Sequence, residues 1–363
     1  MKRFLKIIKW TVYISVGLVS LVLISLFMYK TVLRSSTKIE TPHGISSLEE
    51  ITLGGLKQWI FIRSTDQNNP VLLFLHGGPG APAPGMPSSR NQDAELIKHF
   101  TVVHWDQRGA GKSYDHDIPV SSMTIDRFVE DCNELIEYIR KRFSVQKVFL
   151  VAHSSGSVIG IKTAHKYPET IHAYVGVGQI INHHEQLRIS HNFIVEEAER
   201  SGDVKTQNAI REIGPPPYDT PERLFKMQNY VFRLGGVIHD DSIKQIGGLL
   251  LSFFTSPEYS LSEGLENLMM KGLDFSTNAM WDEINDIDIT KEIHSFKIPV
   301  YFFEGRYDMA TPTVLVEIFY ERLEAEKGKE LIIFENSAHI PMIEEKEKYD
   351  DMLVNVVLKE NLK

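Results

Sequence analysis

The chain alternates between short apolar runs and longer amphipathic segments. Apolar runs typical of strands covered on both faces of a parallel sheet occur at 56–63, 71–76, 101–106, 147–153, 172–178, 300–305 and 330–335. Between two of them, residues 124–143 place apolar side chains at helical spacing. Strand, helix and strand in this order predict a right-handed crossover and therefore an α/β sheet.

The strand pattern stops between residues 179 and 298. This stretch contains helix-like pieces and the turn-rich sequence GPPPYDTP, and it shows no clear buried strand. An insertion of this size between two strands is expected to form a helical cap over the strand ends, where open α/β sheets bind ligands. We therefore expect an N-terminal segment (1–36), a sheet core (37–178 and 299–363) and a cap (179–298).

The N-terminal segment has its own pattern. The basic sequence MKRFLKIIK precedes an uncharged run of 20 residues, 10–29. As a helix this run spans about 30 Å, the thickness of a bilayer's hydrocarbon core, and it predicts one transmembrane anchor. Because the basic residues come first, we expect the N-terminus in the cytoplasm and the domain outside the cell membrane. A cleaved signal peptide and a buried soluble helix are the competing interpretations, but the run is long for a signal and lacks a small-residue cleavage site.

Composition and charge fit a globular enzyme. The chain has 363 residues, 42% of them hydrophobic and 24% charged, which is enough for a large core. Without its basic first 36 residues the formal net charge falls from −9 to −15. This acidity disfavours nucleic acid as a partner and favours cationic substrates. The alternative is that the acidity only keeps the domain soluble. The one cysteine, Cys132, lies on the apolar stripe of the predicted helix, so we expect an inert core thiol and no internal disulfide.

The sequence VAHSSGSVIG contains three serines, Ser154, Ser155 and Ser157, between a predicted strand and a predicted helix. A nucleophile elbow has this context, and its strained serine requires small residues two positions before and two after it. Ser154 has Ala152 and Gly156 at these positions, and the other two serines have larger neighbours. The pattern therefore favours Ser154 as a nucleophile over the alternative of an ordinary helix cap.

A glycine-rich turn follows the strand at 71–76. It consists of His76, Gly77, Gly78, Pro79 and Gly80. Acyl transfer needs backbone donors because negative charge develops on the carbonyl oxygen, and glycines let amides face that oxygen. We expect the amides of Gly78 and Ser155 to form an oxyanion hole, and the other residues of the turn to form the oxyanion loop. The alternative is a tight turn that needs glycine only for its backbone conformation.

A serine nucleophile needs a base and an acid that orients it. Asp308 follows the strand at 300–305, and His339 lies in the loop after the strand at 330–335. The order Ser154, Asp308, His339 is the chain order of triads in α/β-hydrolases. The spacing therefore predicts these three residues as a catalytic triad.

The other histidines are weaker candidates. We expect His153 to be buried in the elbow and His76 to brace its own loop. The side chains of His183 and His184 diverge because the two residues are adjacent, and no carboxylate–histidine motif accompanies them. No metal site is predicted, and no organic cofactor is needed.

Taken together, the motifs resemble those of the proline iminopeptidase group of α/β-hydrolases. HGGPG, DQRGAGKS, the serine elbow, GRYDMATP and SAH follow one another over about residues 45–360, outside the cap. The resemblance implies an α/β-hydrolase fold with a mostly parallel sheet, helices on both faces and an inserted helical cap. It implies the same triad and the same oxyanion loop. Asp106 and Arg108 match a structural turn of the family near the active site, which favours a framework role over the alternative of substrate ligands.

Two features differ from that group. Its members commonly read Gly-Gly-Ser-Trp-Gly at the elbow, where this chain reads Ala-His-Ser-Ser-Gly, so Ser155 replaces a tryptophan beside the nucleophile. Cap carboxylates of the group bind the substrate's α-amine. The candidates for that role here are Glu185, Glu196, Glu197 and Glu199, with a solvated helix surface as the alternative for each.

The sequence thus predicts a membrane-anchored serine hydrolase that acts through an acyl-enzyme. The favoured substrates are short peptides cleaved at the N-terminal residue. Small lipophilic esters are the runner-up, and a hydrolase-like protein that binds a small ligand with little turnover is the alternative from another class. The expected partners are this small substrate and, through residues 10–29, a membrane; the oligomeric state is left open.

Overall fold

A computed structural model describes residues 2–83, 89–240, 252 and 254–362. Eight strands of this part form one sheet in the order β1-β2-β4-β3-β5-β6-β8-β10, and β7 pairs with β9. Neighbours are parallel from β4 to β10, while β1 and β2, and β2 and β4, are antiparallel. The strands are β1 (Ile45–Leu53), β2 (Leu56–Ser64), β3 (Val71–Leu75), β4 (Thr101–Asp106), β5 (Val148–His153), β6 (Ile171–Val177), β7 (Ser295–Phe296), β8 (Val300–Gly305), β9 (Glu324–Ala325) and β10 (Lys329–Phe334).

Helices cover both faces of the sheet and its carboxyl edge. The described α-helices are α1 (Lys2–Ser36), α2 (Ser89–Gln92), α3 (Ile125–Phe143), α4 (Ser155–Lys166), α5 (His183–Ser201), α6 (Val204–Ile213), α7 (Pro221–Arg233), α8 (Leu261–Leu268), α9 (Lys271–Ala279), α10 (Trp281–Asn285), α11 (Thr313–Arg322), α12 (Pro341–Glu344), α13 (Lys346–Asp351) and α14 (Lys359–Asn361). A π-helix spans Met352–Leu358, and 3₁₀ turns span Leu96–Lys98, Gly111–Ser113, Val120–Ser122, Pro168–Thr170 and Ile289–Lys291.

The central strand β5 shows why the sheet is buried on both faces. Leu150 and Ala152 belong to an apolar cluster that includes α3 and α4, whereas Phe149 and Val151 belong to a second cluster that includes the C-terminal helices. Successive side chains of a strand point to opposite faces, so a strand covered on both sides reads as a continuous apolar run. The predicted α/β fold is thereby confirmed. Cys132 is also buried, and burial raises its pKa to about 12.

The sequence did not predict β1. Its residues are half-buried or exposed for most of its length, so its pattern ISSLEEITL lacks the continuous apolar run of the inner strands. The following Gly54 and Gly55 have φ of 53° and 75°, as a tight hairpin turn between two antiparallel strands requires. The pair Gly54 and Gly55 was therefore the feature of the sequence that could have indicated this hairpin.

The helices between β6 and β7 pack partly on one another. α5, α6 and α7 enclose an apolar cluster of their own that includes Leu187, Ile210 and Met227. This helical layer is joined to the sheet core near Asn182, which forms an isolated antiparallel bridge with Asp288. The expected boundaries of the cap at 179 and 298 remain a prediction.

The helix α1 contrasts with the rest of the chain in its exposed apolar surface. Its stretch Lys6–Ser36 is long and apolar enough to cross a membrane. Its C-terminal part contacts the residues just before α8, where Lys30 Nζ donates to the carbonyl of Tyr259 at 2.9 Å and Arg34 donates to the carbonyl of Pro257. The end of α1 is thus attached to the helical layer.

Candidate active site

Ser154 lies at the sharp turn between β5 and α4. Its backbone has φ 54° and ψ −128°, a conformation that is strained for a residue with a Cβ. The strand β5 is held in place because the amide of Ser154 donates to the carbonyl of Val177 on β6 at 3.0 Å. The turn therefore presents the Ser154 side chain at the carboxyl edge of the sheet.

The neighbours of this turn must be small. A Cβ at Gly156 would lie 2.3 Å from the carbonyl oxygen of His76, and one at Gly160 would lie 2.5 Å from the Cβ of Ala152. A residue with a side chain at either position would separate α4 from the strands. This close packing is the physical reason for the small residues that the sequence places around Ser154.

The three residues of the predicted triad lie in a hydrogen-bonded line. Ser154 Oγ is 2.9 Å from Nε2 of His339, and Nδ1 of His339 is 2.8 Å from Oδ2 of Asp308. Asp308 is 1% exposed and His339 is 8% exposed. With Nδ1 donating to the carboxylate, Nε2 is free to accept the proton of the serine hydroxyl.

Thr311 completes the surroundings of Asp308 and was not predicted from the sequence. Its hydroxyl donates to Asp308 Oδ2 at 2.7 Å and lies 3.1 Å from Nδ1 of His339. The amides of Ala310 and Thr311 both donate to Asp308 Oδ1 at 2.8 Å. The sequence DMAT predicts such a turn, in which an aspartate accepts from the amides two and three residues later.

A second carboxyl group, Glu304, lies in β8 below Asp308. It is fully buried, and burial, together with the charge of Asp308, raises its pKa well above the usual range. One oxygen accepts from the amide of Gln179 at 3.0 Å, and the other has no partner.

Two buried histidines hold the loops that carry the site. His153 Nε2 donates to the carbonyl of His339 at 2.9 Å, and burial lowers the pKa of His153 to about 3. His76 Nδ1 donates to the carbonyl of Gly77 at 2.7 Å, and its Nε2 accepts from the amide of Gln107 at 3.1 Å. Burial lowers the pKa of His76 to about 4, so both rings are neutral near pH 7.

The glycine-rich turn lies beside Ser154. Gly78 and Pro79 line the same cavity as Ser154 and Ser155. Ser155 is the first residue of α4, where a helical amide has no partner within the helix. The structure thus brings the two predicted oxyanion donors to one cavity.

The same turn packs tightly against its neighbours. A Cβ at Gly77 would lie 2.7 Å from the Cβ of Ser154, and one at Gly80 would lie 2.2 Å from the carbonyl of Gly272 in α9. The first contact fixes the turn against the elbow. The second brings it against the helical layer.

Asp106 and Arg108 lie in the framework around the site. Arg108 is 1% exposed and pairs with the buried Asp131 at 2.9 Å. Asp106 accepts from the amide of Lys112 at 2.9 Å and from the hydroxyl of Tyr259 at 3.0 Å. Burial raises the pKa of Asp106 to about 7. Neither residue lines the cavity above Ser154.

The cavity has a volume of about 300 Å³ and is enclosed by the sheet edge and the helical layer. Its described lining is mostly apolar and includes Phe128, Val158, Ile180, Leu224, Phe232, Val237, Leu273, Met280 and Ile287. The polar lining residues are Gln107, Ser154, Ser155, His183, Gln186, Gln228, Thr277, Thr311 and His339. Among the described lining residues there is no aspartate, glutamate, lysine or arginine.

The candidate amine-binding glutamates lie elsewhere. Glu185 pairs with Arg188 at 2.8 Å, and Glu197 pairs with Arg200 at 2.5 Å, each on the outer face of α5. Glu196 and Glu199 are exposed. None of these four side chains lines the cavity. They therefore belong to a solvated helix surface, which was the alternative to a role in binding the substrate's amine. Their helical pattern alone could not show which face of α5 meets the substrate.

Metal-ligating side chains also occur away from the cavity. Within the described ranges, Asp115, His116 and Asp117 are close enough to share an ion, and all three are exposed. The pair His183 and His184 diverges as expected, with the first buried and the second exposed. The described lining of the cavity offers two imidazoles and no carboxylate, a set that does not fit the ligands of a catalytic zinc site.

Comparisons with known proteins agree with this architecture. The family model of the serine aminopeptidases of group S33 matches residues 96–222. A probable aminopeptidase of Bacillus subtilis, YbaC, is 34% identical over 83% of this chain and 93% of its own. A proline iminopeptidase of Saccharolobus solfataricus is 27% identical over 79% of this chain and 84% of its own. The crystal structure of a membrane phospholipase A superposes with a TM-score of 0.62 at 17% identity, covers 99% of both chains and shows the shared fold.

The relative from Bacillus subtilis is decisive, because its similarity extends over nearly the whole length of both proteins. The chain therefore belongs to the serine aminopeptidase family of α/β-hydrolases, in its proline iminopeptidase-like group.

Proposed function

We propose that this protein is a membrane-anchored serine aminopeptidase that releases N-terminal residues from short peptides through an acyl-enzyme on Ser154. The observation that carries the proposal is the line of contacts from Ser154 Oγ through His339 to Asp308, at 2.9 and 2.8 Å. It ends at a cavity that has room for a small acyl group. The names of the relatives supply the substrate class.

In the first half of the reaction, Ser154 Oγ attacks the scissile carbonyl carbon. His339 Nε2 takes the hydroxyl proton, and Asp308 holds the opposite nitrogen and stabilises the imidazolium. The carbonyl oxygen becomes an oxyanion that accepts from the amides of Gly78 and Ser155. His339 then returns the proton to the leaving amine, and the C–N bond breaks to give the acyl-enzyme.

In the second half, water replaces the amine. His339 removes a proton from the water, which attacks the ester carbonyl of the acyl-enzyme. The second oxyanion collapses, Ser154 Oγ leaves and regains its proton from His339, and the acid product departs. The strained backbone of Ser154 keeps its Oγ in the same place in both halves.

A carboxylesterase is the second candidate, and the lining of the cavity favours it. The described lining contains no carboxylate to pair with a substrate ammonium group, and most of it is apolar. Such a cavity suits the acyl chain of a small lipophilic ester. The two candidates share an acyl-enzyme on Ser154 and differ in the acyl group that it carries and in the leaving group.

The membrane anchor is proposed from α1. The stretch Lys6–Ser36 has a mean hydropathy of 2.3 in its most apolar window, only 6% of that window is buried, and basic residues precede it. A surface of this kind is stable in a hydrocarbon layer. From the positive charges that precede the apolar run, we propose that the N-terminus lies in the cytoplasm and the hydrolase domain on the outer side.

Labelling with a fluorophosphonate tests the nucleophile. We expect the full chain in detergent to form one covalent adduct and Ser154→Ala to form none. Ser155→Ala is the matched control, because it keeps the backbone amide and should still be labelled. No adduct on the unaltered protein would favour a ligand-binding role with little turnover, and an adduct on Ser154→Ala would assign the nucleophile to another residue.

A substrate panel tests the leaving group. Alanine and proline 2-naphthylamides are compared with 2-naphthyl esters of short acids, each with the unaltered protein and with Ser154→Ala. We expect Ser154-dependent release of naphthylamine. Ser154-dependent cleavage of the esters alone would replace the aminopeptidase with the carboxylesterase.

A further inference from the structure

Three side chains that line the cavity carry polar atoms without a hydrogen-bond partner. They are Nε2 of His183, Oε1 of Gln186 and Oγ1 of Thr277. The residues are 3%, 4% and 2% exposed, respectively. Buried polar atoms in folded proteins are nearly always paired, so three unpaired ones at one cavity point to a partner outside the chain.

The three residues come from two helices of the layer above the sheet. His183 and Gln186 lie three positions apart in the first turns of α5, where side chains at this spacing share one face. Thr277 lies in α9, the helix that contacts the glycine-rich turn. Ser154 and His339 line the same cavity from the sheet side. A molecule bound at Ser154 is therefore within the space that these polar groups border.

The His183 ring is neutral near pH 7. Burial, with a smaller contribution from the charge of His184, lowers the pKa of His183 to about 4. The remaining titratable side chain of the described lining is His339.

Two carboxylates near α5 already have partners. Asp288 accepts from the amide of Thr290 and lies 3.4 Å from Lys291, and Glu283 accepts from the amide of Ile125. On α5 itself, Glu185 pairs with Arg188. None of these carboxylates belongs to the described lining of the cavity that the three polar groups border.

We infer that His183, Gln186 and Thr277 form an uncharged polar subsite that binds the substrate's α-amine as the free base and excludes the ammonium form. The inference rests on the proposed aminopeptidase activity. A free amine has two N–H donors and one lone pair. Gln186 Oε1 accepts one donor, and an N–H of His183 or the hydroxyl of Thr277 donates to the lone pair.

The exclusion of the ammonium follows from its charge. An ammonium has no lone pair, so it cannot accept from His183 or Thr277. It would also have to leave water for a mostly apolar cavity whose described lining holds no counter-ion, which is far more costly than moving a neutral amine. The overall negative charge of the protein attracts cations to its surface, but an entering ammonium gives its proton to water before the amine reaches the subsite.

The pH dependence of binding tests the inference with two ligands of nearly the same shape. Alanine 2-naphthylamide carries an α-amine, and propionyl 2-naphthylamide lacks it. Dissociation constants are measured by naphthyl fluorescence on full-length Ser154→Ala in detergent, from pH 6 to 9. The ratio of the two constants cancels every ionisation of the protein that affects both ligands alike.

We expect the affinity for the alanine compound, relative to the propionyl compound, to rise about tenfold per pH unit up to the amine's pKa of about 8 and then to level off. Above pH 8 the amine compound should bind about tenfold better, because it satisfies polar atoms that the propionyl compound leaves unpaired. A relative affinity that stays constant or falls with rising pH would overturn the inference.

Two glutamines of the same cavity provide a matched pair of variants. Gln186→Leu removes the proposed acceptor and should abolish the preference for the amine compound while leaving propionyl binding unchanged. Gln228→Leu makes the same chemical change in α7, where the side chain has no unpaired buried atom, and should keep the preference. Equal effects of the two substitutions on the preference would overturn the assignment to Gln186.

Gln186→Glu supplies a variant with the opposite expected result. A carboxylate at this position can pair with an ammonium, so the relative affinity for the alanine compound should become nearly independent of pH between 6 and 8. An unchanged pH dependence would count against the subsite. Because these measurements record binding alone, a protein that binds as expected but cleaves neither amide would refute the aminopeptidase and leave the subsite standing.

Discussion

Gly77 and Ser154 approach each other so closely that a Cβ added at Gly77 would lie 2.7 Å from the Cβ of Ser154. Gly77→Ala should therefore push the glycine-rich turn away from the elbow and misplace the oxyanion donors. Losing one such donor typically costs about 3 kcal/mol of transition-state stabilisation, so we expect kcat to fall about 100-fold or more. Steady-state cleavage of the preferred naphthyl substrate measures it.

The control for this prediction is Gly55→Ala. Gly55 has a positive φ, but a Cβ there would meet no atom within 4 Å, and the residue lies in the distant β1–β2 turn. It should lose a little stability and keep its kcat. Equal kcat values for Gly77→Ala and the unaltered protein would show that the turn does not position the donors.

Thr311 should act on the reaction through its neighbours. Thr311→Val removes the hydroxyl that donates to Asp308 at 2.7 Å and lies beside His339 Nδ1. We expect kcat to fall about tenfold with little change in KM, because one hydrogen bond to a charged group is lost. Thr311→Ser keeps the hydroxyl and should restore most of the rate. A loss of the same size in Thr311→Ser would indicate a packing role for the methyl group instead.

The sequence predicted those site residues whose roles follow from their immediate neighbours in the chain. Ser154, Asp308 and His339 follow strands, and the order of the three and the small neighbours of Ser154 were enough to select them. The site's surroundings depend on packing between distant segments. Contacts with other helices decide which face of α5 meets the cavity. That face carries His183 and Gln186 and not the four glutamates. The periodicity of the sequence does not show these contacts. The edge strand β1 was missed for a related reason, because its half-exposed side chains lack the apolar run of a buried strand.

The buried pair of Arg108 and Asp131 should matter for stability. The two side chains are 2.9 Å apart and at most 1% exposed. Asp131→Asn leaves a buried guanidinium without its counter-charge, and we expect the free energy of unfolding to fall by about 3–5 kcal/mol. Urea unfolding followed by tryptophan fluorescence measures this. Glu40→Gln breaks the exposed pair with Lys38 and should cost less than about 1 kcal/mol; similar losses in the two variants would contradict the prediction.

The buried ring of His183 should make the fold sensitive to acid. Its pKa is about 4 in the folded protein, against an ordinary value of 6.5. Between these values the unfolded chain binds one more proton, so the free energy of unfolding falls as the pH falls from 6.5 to about 4. The contribution is about 1.4 kcal/mol per pH unit. His183→Leu should show a slope shallower by this amount in urea unfolding at pH 7, 6 and 5, and an unchanged slope would contradict the burial of a neutral ring.

The orientation of α1 decides where the site operates. The basic residues Lys2, Arg3, Lys6 and Lys9 precede the apolar run, and positive charge is retained on the cytoplasmic side of a membrane. Protease added to intact cells should therefore digest the hydrolase domain and leave a short membrane-bound fragment. Protection in intact cells, followed by digestion after lysis, would place the domain inside. A soluble domain that lacks its first residues in untreated cells would instead identify the segment as a cleaved signal, because an uncleaved helix with this exposed apolar surface holds the chain in the bilayer.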